Sequence, residues 1–269
     1  WSRTDPVEAE VALPGAAASI RILGPDGKPL PVQVLEKKAE PDRTRFRVAF
    51  IASDSPAFGY RIYDAAAAEP GVMAAASPPL AVSVEGLENV FLKVAVDPKT
   101  GWIRSLFDKR TGREILSGPG NALQAIADEP EGMSAWELGL KGAPEELGSR
   151  GASVEVLERG PVRAVIRVKT PFRNSLFVQD LILYAGLARL DVRMTADWQE
   201  RNLMIKAAFP ANVASAQAEF EIPFGSITRP ADGTEVPALR WVDVSDAARG
   251  GGLSLLNDSK YGFDVDRSV

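Results

Sequence analysis

Histidine and cysteine are both absent from the 269 residues of this chain. Without histidine there is no imidazole to act as a general base near neutral pH, and the commonest transition-metal ligand is missing. The lack of cysteine removes disulfides, thiolate nucleophiles and sulfur-ligated metal sites. A metal site made from this chain alone would rest on carboxylates, an atypical ligand set for zinc. A Ser-His-Asp triad is excluded on the same count. No apolar run approaches the ~20 residues that cross a bilayer as a helix, so no membrane partner is expected. Charge of one sign is not concentrated either: 31 basic and 36 acidic residues are interleaved, for a net charge of -5. With no basic stripe to neutralise phosphates, nucleic acid is not an expected partner. Signals for long helices are scarce.

What the chain does contain is short alternating segments broken by Gly, Pro and Asp, the pattern of an all-β protein. Leu190, Val192, Met194 and Ala196 alternate with Arg189, Asp191, Arg193 and Thr195, which predicts a half-buried strand. Ser175 to Tyr184 precedes it as a second strand, joined through Ala185-Gly186-Leu187-Ala188, and Val162 to Val168 is a third. Strands this close in sequence favour antiparallel pairing and sandwich packing. Further strands are predicted at Val7 to Leu13, Ser19 to Leu23, Pro31 to Leu35, Arg45 to Ala52 and Gly59 to Tyr63. The run AAAAEPGVMAAASPP from Ala65 to Pro79 has no alternation and several prolines. It sets a boundary between a small β-sandwich domain at 1–80 and a large one at 81–269, and its alanines also suit a short helix. The opening Trp1-Ser2-Arg3 and closing Arg267-Ser268-Val269 read as cuts through a longer protein.

Few residues suggest chemistry. Glu219 and Glu221 would share a strand face at about 7 Å, a spacing relevant to paired carboxylates in glycoside hydrolysis, but a solvated strand face is the favoured reading and a catalytic dyad is not expected. Asp128, Glu129, Glu131 and Glu137 surround Trp136, and Asp197-Trp198 with Glu200 repeats the theme; both tryptophans are expected to be structural anchors. Arg229 lies where a guanidinium could bind a sugar hydroxyl or a carboxylate. Gly250-Gly251-Gly252 lacks the context of a phosphate loop and reads as a hairpin turn.

Several motifs, in order along the chain, resemble the C-terminal region of glycoside hydrolase family 38 α-mannosidases. They include Trp1-Ser2-Arg3-Thr4-Asp5, Gly27 to Gln33, Leu87-Glu88-Asn89, Ser105 to Lys109 with Gly112-Arg113-Glu114, and Asp128-x-Pro130 with Ala135-Trp136-Glu137. Glu137 stands where that family usually has Asp. Gly160 to Ala164, Asp197-Trp198, Lys206 with Phe209-Pro210, Glu221 to Gly225 with Arg229-Pro230, Trp241-Val242-Asp243 and Asn257 to Gly262 complete the series. The resemblance implies a small N-terminal β-sandwich followed by a large antiparallel super-sandwich of the galactose mutarotase-like kind, here truncated at its C-terminal end. It further implies a zinc-dependent, retaining parent enzyme that hydrolyses terminal α-mannosides. The zinc ligands and nucleophile of that enzyme lie upstream of Trp1, so no catalytic or metal-binding residue and no cofactor is assigned within this chain. Its partners would be the parent's catalytic domain and, through the parent, carbohydrate. Phe220, Glu221, Arg229 and Tyr261 are the residues expected near substrate. The competing reading is an independent carbohydrate-binding module using Trp102, Trp136 or Trp241 as stacking platforms; an epimerase-like enzyme on a related sandwich is a remoter one. The composition fits a bacterial cytoplasmic or periplasmic setting.

Overall fold

Twenty-four strands and no helix occur among the residues described by the structure, a computed structural model. These residues are 1–68, 75–133, 136–246 and 250–266. The predicted all-β class is therefore observed, and the pairings between strands are antiparallel. Part of the alanine-rich tract (69–74), Ala135 and the terminal Arg267-Ser268-Val269 fall outside the described residues. Two compact units interleave along the chain.

The first unit comprises Trp1–Lys93, Pro98–Gly101 and Gly151–Glu200. Its N-terminal part has two three-stranded sheets. One is centred on Arg43–Ser55, paired on its two sides with Arg3–Pro14 and Gln33–Ala39; the other is centred on Ile20–Leu23, between Pro29–Leu30 and Asp64–Ala67. Phe46, Val48, Ile20 and Ile22 are buried between them, with Leu13 and Phe50 in the same cluster. The alternation of the sequence explains this core, because Phe46, Val48 and Phe50 point to one face of their strand. The last strand corrects the sequence reading. Gly59 to Tyr63 is not a strand, and the alanines that follow form one instead of a helix: Ala65, Ala66 and Ala67 pair with Ile22, Arg21 and Ile20. Pairing across the sheet overrides the intrinsic helix preference of alanine.

The same unit holds a four-stranded sheet in the order Ser153–Arg159, Arg163–Phe172, Ser175–Tyr184, Leu190–Asp197. The two central strands are mostly buried, whereas Leu190–Asp197 is not the half-buried strand its alternation predicts. It is the outermost strand of the sheet, and Val192 and Met194 are 38% and 43% exposed. Alternation identifies which residues share a face; it does not say whether that face is covered.

Polar groups lock the first unit internally. The Arg163 side chain is 5% exposed and donates to both carboxylate oxygens of Glu158 at 2.7 Å, with Glu8 as a further acceptor. Gln33 accepts from the backbone N–H groups of Val162 and Arg163 and donates to Glu158. Burial works against the guanidinium charge, but hydrogen bonds and proximity to Glu158 and Glu8 outweigh it and leave its pKa raised. Gly160 is required beside this cluster because a Cβ would stand 1.9 Å from Gln33 Cδ. Asn89, also buried, donates to the carbonyls of Tyr184 and Leu187 and accepts from the N–H groups of Phe91 and Leu92.

The second unit comprises Val94–Asp97, Trp102–Arg150 and Arg201–Val269. Ala122–Asp128 is the centre of a three-stranded sheet with Leu140–Glu146 and Leu203–Ala208. Asp108 closes the hairpin between Ile103–Asp108 and Arg113–Glu114 by accepting from the backbone and guanidinium of Arg110, which holds its carboxyl below the usual range. A four-stranded sheet runs Gly225–Pro230, Gln217–Ile222, Trp241–Asp246, Gly251–Leu256; of the glycines read as a hairpin turn only Gly250 lies in one, while Gly251 and Gly252 belong to the last strand and pair with Asp246 and Ser245. Val236–Pro237 pairs with Gly262–Phe263. Phe220, Ala218, Val242, Ala238 and Phe263 form the core cluster beneath these sheets.

Two turns make opposite predictions. Gly101 has φ +75°, and a Cβ there would lie 2.2 Å from Val168 Cγ1. Gly101→Ala therefore combines a left-handed L-residue with overpacking, and denaturant unfolding should show a loss of about 2–3 kcal/mol. Phe224, at the tip of the Gln217–Ile222/Gly225–Pro230 hairpin, also has positive φ (65°) while its side chain is fully exposed. Phe224→Gly relieves roughly 1–2 kcal/mol of strain against ~0.5–1 kcal/mol of added chain entropy. The variant should unfold at a higher denaturant concentration; a lower midpoint would show that Phe224 packs on something.

Candidate functional site

The hairpin bearing three of the four sequence-selected residues is built by alternation. Ala218 and Phe220 turn inward, 2% and 1% exposed, so Gln217, Glu219 and Glu221 turn outward. Pro223 fixes its own φ and cannot donate to the ladder, and it closes the hairpin with Phe224 between the paired Ile222 and Gly225.

Glu219 and Glu221 thus share a face, as their spacing predicts. Each is engaged locally: the Ser226 hydroxyl donates to Glu219, and the backbone N–H of Arg240 donates to the Glu221 carboxylate at 2.7 Å. Asp243, paired with Glu219 across the sheet, accepts from the hydroxyls of Ser245 and Ser254.

Phe220, Glu221, Arg229 and Tyr261 converge on one segment, Pro237 to Arg240. The Arg229 guanidinium lies 5.2 Å from the Phe220 ring centroid and donates to the Pro237 carbonyl at 2.8 Å. The Glu221 carbonyl accepts from Leu239 N–H, and its carboxylate from Arg240 N–H. The Tyr261 carbonyl accepts from Ala238 N–H, and its side chain is 59% exposed. Phe220 lies inside the core with its ring edge-on to Phe263 at 6.3 Å. Its contribution is to support Arg229 through the ring face. The surface that a ligand would meet comes from Tyr261, Glu221 and Arg229. Sequence reasoning missed the segment 237–240 that these residues hold, and it missed the exposed Phe224; Pro223, which shares the two-residue turn with it, is a local signal for the latter.

The other clusters behave differently. Asp128 accepts from Gly139 N–H and Glu129 pairs with Lys141, so these acids close a loop. Trp136 is 81% exposed, which corrects its reading as a core anchor. Trp198 is half-buried with its ring edge-on to Phe177 at 5.9 Å, as expected of a structural tryptophan, and Glu200 accepts from Asn174 N–H. Trp102 is half-buried and donates to the Leu147 carbonyl; Trp241 is half-buried as well. Lys206 is held by Glu235 and Asp264, which raise its pKa against the opposing effect of burial. Among the described residues no group of three or more His, Cys, Asp or Glu is placed to hold a metal ion.

Comparison with known proteins agrees with this architecture. Residues 87–269 match the family described as Glycosyl hydrolases family 38 C-terminal domain. Alpha-mannosidase 2C1 of Homo sapiens is 33% identical over 199 residues, 68% of this chain and 19% of that protein. Alpha-mannosidase G of Dictyostelium discoideum is 28% identical over 195 residues, 66% of this chain and 18% of that protein. The chain thus spans about a fifth of the curated relatives it matches. The crystal structure of an alpha-mannosidase from Enterococcus faecalis V583 superposes with a TM-score of 0.75 at 13% identity, over 98% of this chain and 37% of that one, a likeness of fold. With the family match covering well over half of its residues, the chain belongs to glycosyl hydrolase family 38 and represents its C-terminal domain.

Proposed function

We propose that this chain is the non-catalytic β region of a longer, zinc-dependent, retaining α-mannosidase, and that it packs on and shapes an active site carried by the part preceding Trp1. The family match over 87–269 carries this reading. Composition supports it: zinc sites draw on His and Cys, and this chain has neither. Its residues do not suit the metal, so zinc belongs to the rest of the longer protein, with mannosides as the substrate of that protein. Here Arg229, Glu221 and the Tyr261 backbone hold the segment 237–240, while the Tyr261 phenol and the Glu221 and Arg229 polar groups supply the contacts suited to sugar hydroxyls. The same reading takes 1–80 as a small sandwich domain and 81–269 as the large one. A core cluster confined to residues between Val7 and Ala65 and a family match that begins at Leu87 support that division.

A second reading, an independent carbohydrate-binding module, is favoured by the exposure of Trp136. The half-buried Trp102 and Trp241 count against a row of stacking platforms.

Hydrolysis of an aryl α-mannoside with added zinc separates the two. The chain extended upstream should hydrolyse it, with the α anomer as first product by NMR if the mechanism is retaining, and the 269-residue chain should not. Activity in the shorter chain would overturn the non-catalytic role. Tight mannoside binding by the shorter chain, abolished by Trp136→Ala, would favour the binding module.

A further inference from the structure

The first unit displays three large apolar side chains that nothing in the functional reading uses. Phe58 is 100% exposed, Tyr60 82% and Ile62 65%. They alternate with Gly59 and Arg61 along a stretch that belongs to no strand, between Arg43–Ser55 and Asp64–Ala67. Such a stretch would be free to fold its apolar groups inward, but it is tethered. Arg61 Nε donates to the Asp54 carbonyl at 2.8 Å, and Tyr63 packs its ring on Phe50 at 5.1 Å between centroids. Tyr60, Arg61 and Ile62 also form one wall of an open hollow of about 440 Å³, completed by Gly24, Pro25, Gly27 and Asp64. A contiguous exposed group of this kind, rimmed by charges, is the mark of an interaction surface, and aromatic side chains are the anchors such surfaces favour.

Resting on the mannosidase reading above, we propose that Phe58, Tyr60 and Ile62 are the anchor by which this region docks on the catalytic portion of the longer enzyme. The occupant is argued from length: the chain matches a solved structure over 98% of itself and 37% of that chain. Most of such a protein therefore lies outside these residues and is available to cover the row. The docking surface on the catalytic portion is apolar, with polar groups opposite Arg61 and Asp64 at the rim.

Hydroxyl-radical labelling tests this without relying on activity. Labelling of Phe58 and Tyr60 is measured in the upstream-extended protein, folded and in denaturant, and in the 269-residue chain. Docking predicts several-fold protection of both residues in the folded longer protein and strong labelling in the shorter chain. Equal labelling in the folded and denatured longer protein overturns the proposal. Protection in the shorter chain that grows with its concentration also overturns it, in favour of self-association. As a second measurement, the combined Phe58→Ser, Tyr60→Ser and Ile62→Ser variant should leave the melting temperature of the shorter chain unchanged and lower that of the longer protein; no change in the longer protein overturns the proposal as well. Protection without α-mannosidase activity would leave docking standing and remove the functional reading, whereas activity without protection would do the reverse.

Discussion

The buried guanidinium of Arg163 is the constraint around which the first unit is arranged. It is shared by Glu158, five residues back on the neighbouring strand of its own hairpin, and by Glu8 from the N-terminal strand, while Gln33 from a third strand closes the gap over Gly160. Residues separated by up to 155 positions therefore meet at one charge. A charge so enclosed is stable only with its partners in place, because desolvation otherwise disfavours it. The geometry leaves little choice of register for the strands that carry those partners, and Asn89 does the same work without charge at the same end of the sheet, beside the Tyr184 that pairs with Arg163, where its amide satisfies four backbone groups.

In the second unit, polar groups are spent on turns and on holding a loop. Asp108 closes a hairpin with Arg110, and the segment Pro237 to Arg240 is fastened by donors and acceptors from three places in the chain. Arg229 combines a guanidinium 5.2 Å from the Phe220 ring centroid with a directed hydrogen bond to the Pro237 carbonyl. A buried aromatic and the outward carboxylate next to it on the same strand thus serve the same local structure: Phe220 from inside, Glu221 from outside. Phe224 is the exception to this economy, a bulky residue in a left-handed conformation with its side chain wholly in solvent.

Much of this was legible beforehand where local periodicity decides the outcome. Alternation located Arg163–Phe172, Ser175–Tyr184 and Leu190–Asp197 as neighbouring antiparallel strands. Reading failed where a neighbour decides. The alanines at 65–67 became a strand because Ile20–Leu23 offered them an edge, and Val192 and Met194 stayed exposed because their strand is the outermost of its sheet. Trp136 was expected inside on its size alone, yet size does not supply neighbours. At the candidate site, the residue types and their order were readable as a family resemblance, but the segment 237–240 on which they converge has no signature of its own.

By itself, the amino-acid sequence determined that this is an all-β chain unable to perform histidine or cysteine chemistry, since strand periodicity and the presence of a functional group are both local properties. It also carried enough ordered motifs to place the chain in its family. Only the tertiary structure decided which faces are covered, which buried charge joins distant strands, and which apolar side chains, Phe58, Tyr60 and Ile62 among them, remain in solvent. Those outcomes depend on contacts between residues far apart in the chain, and neither composition nor periodicity contains them.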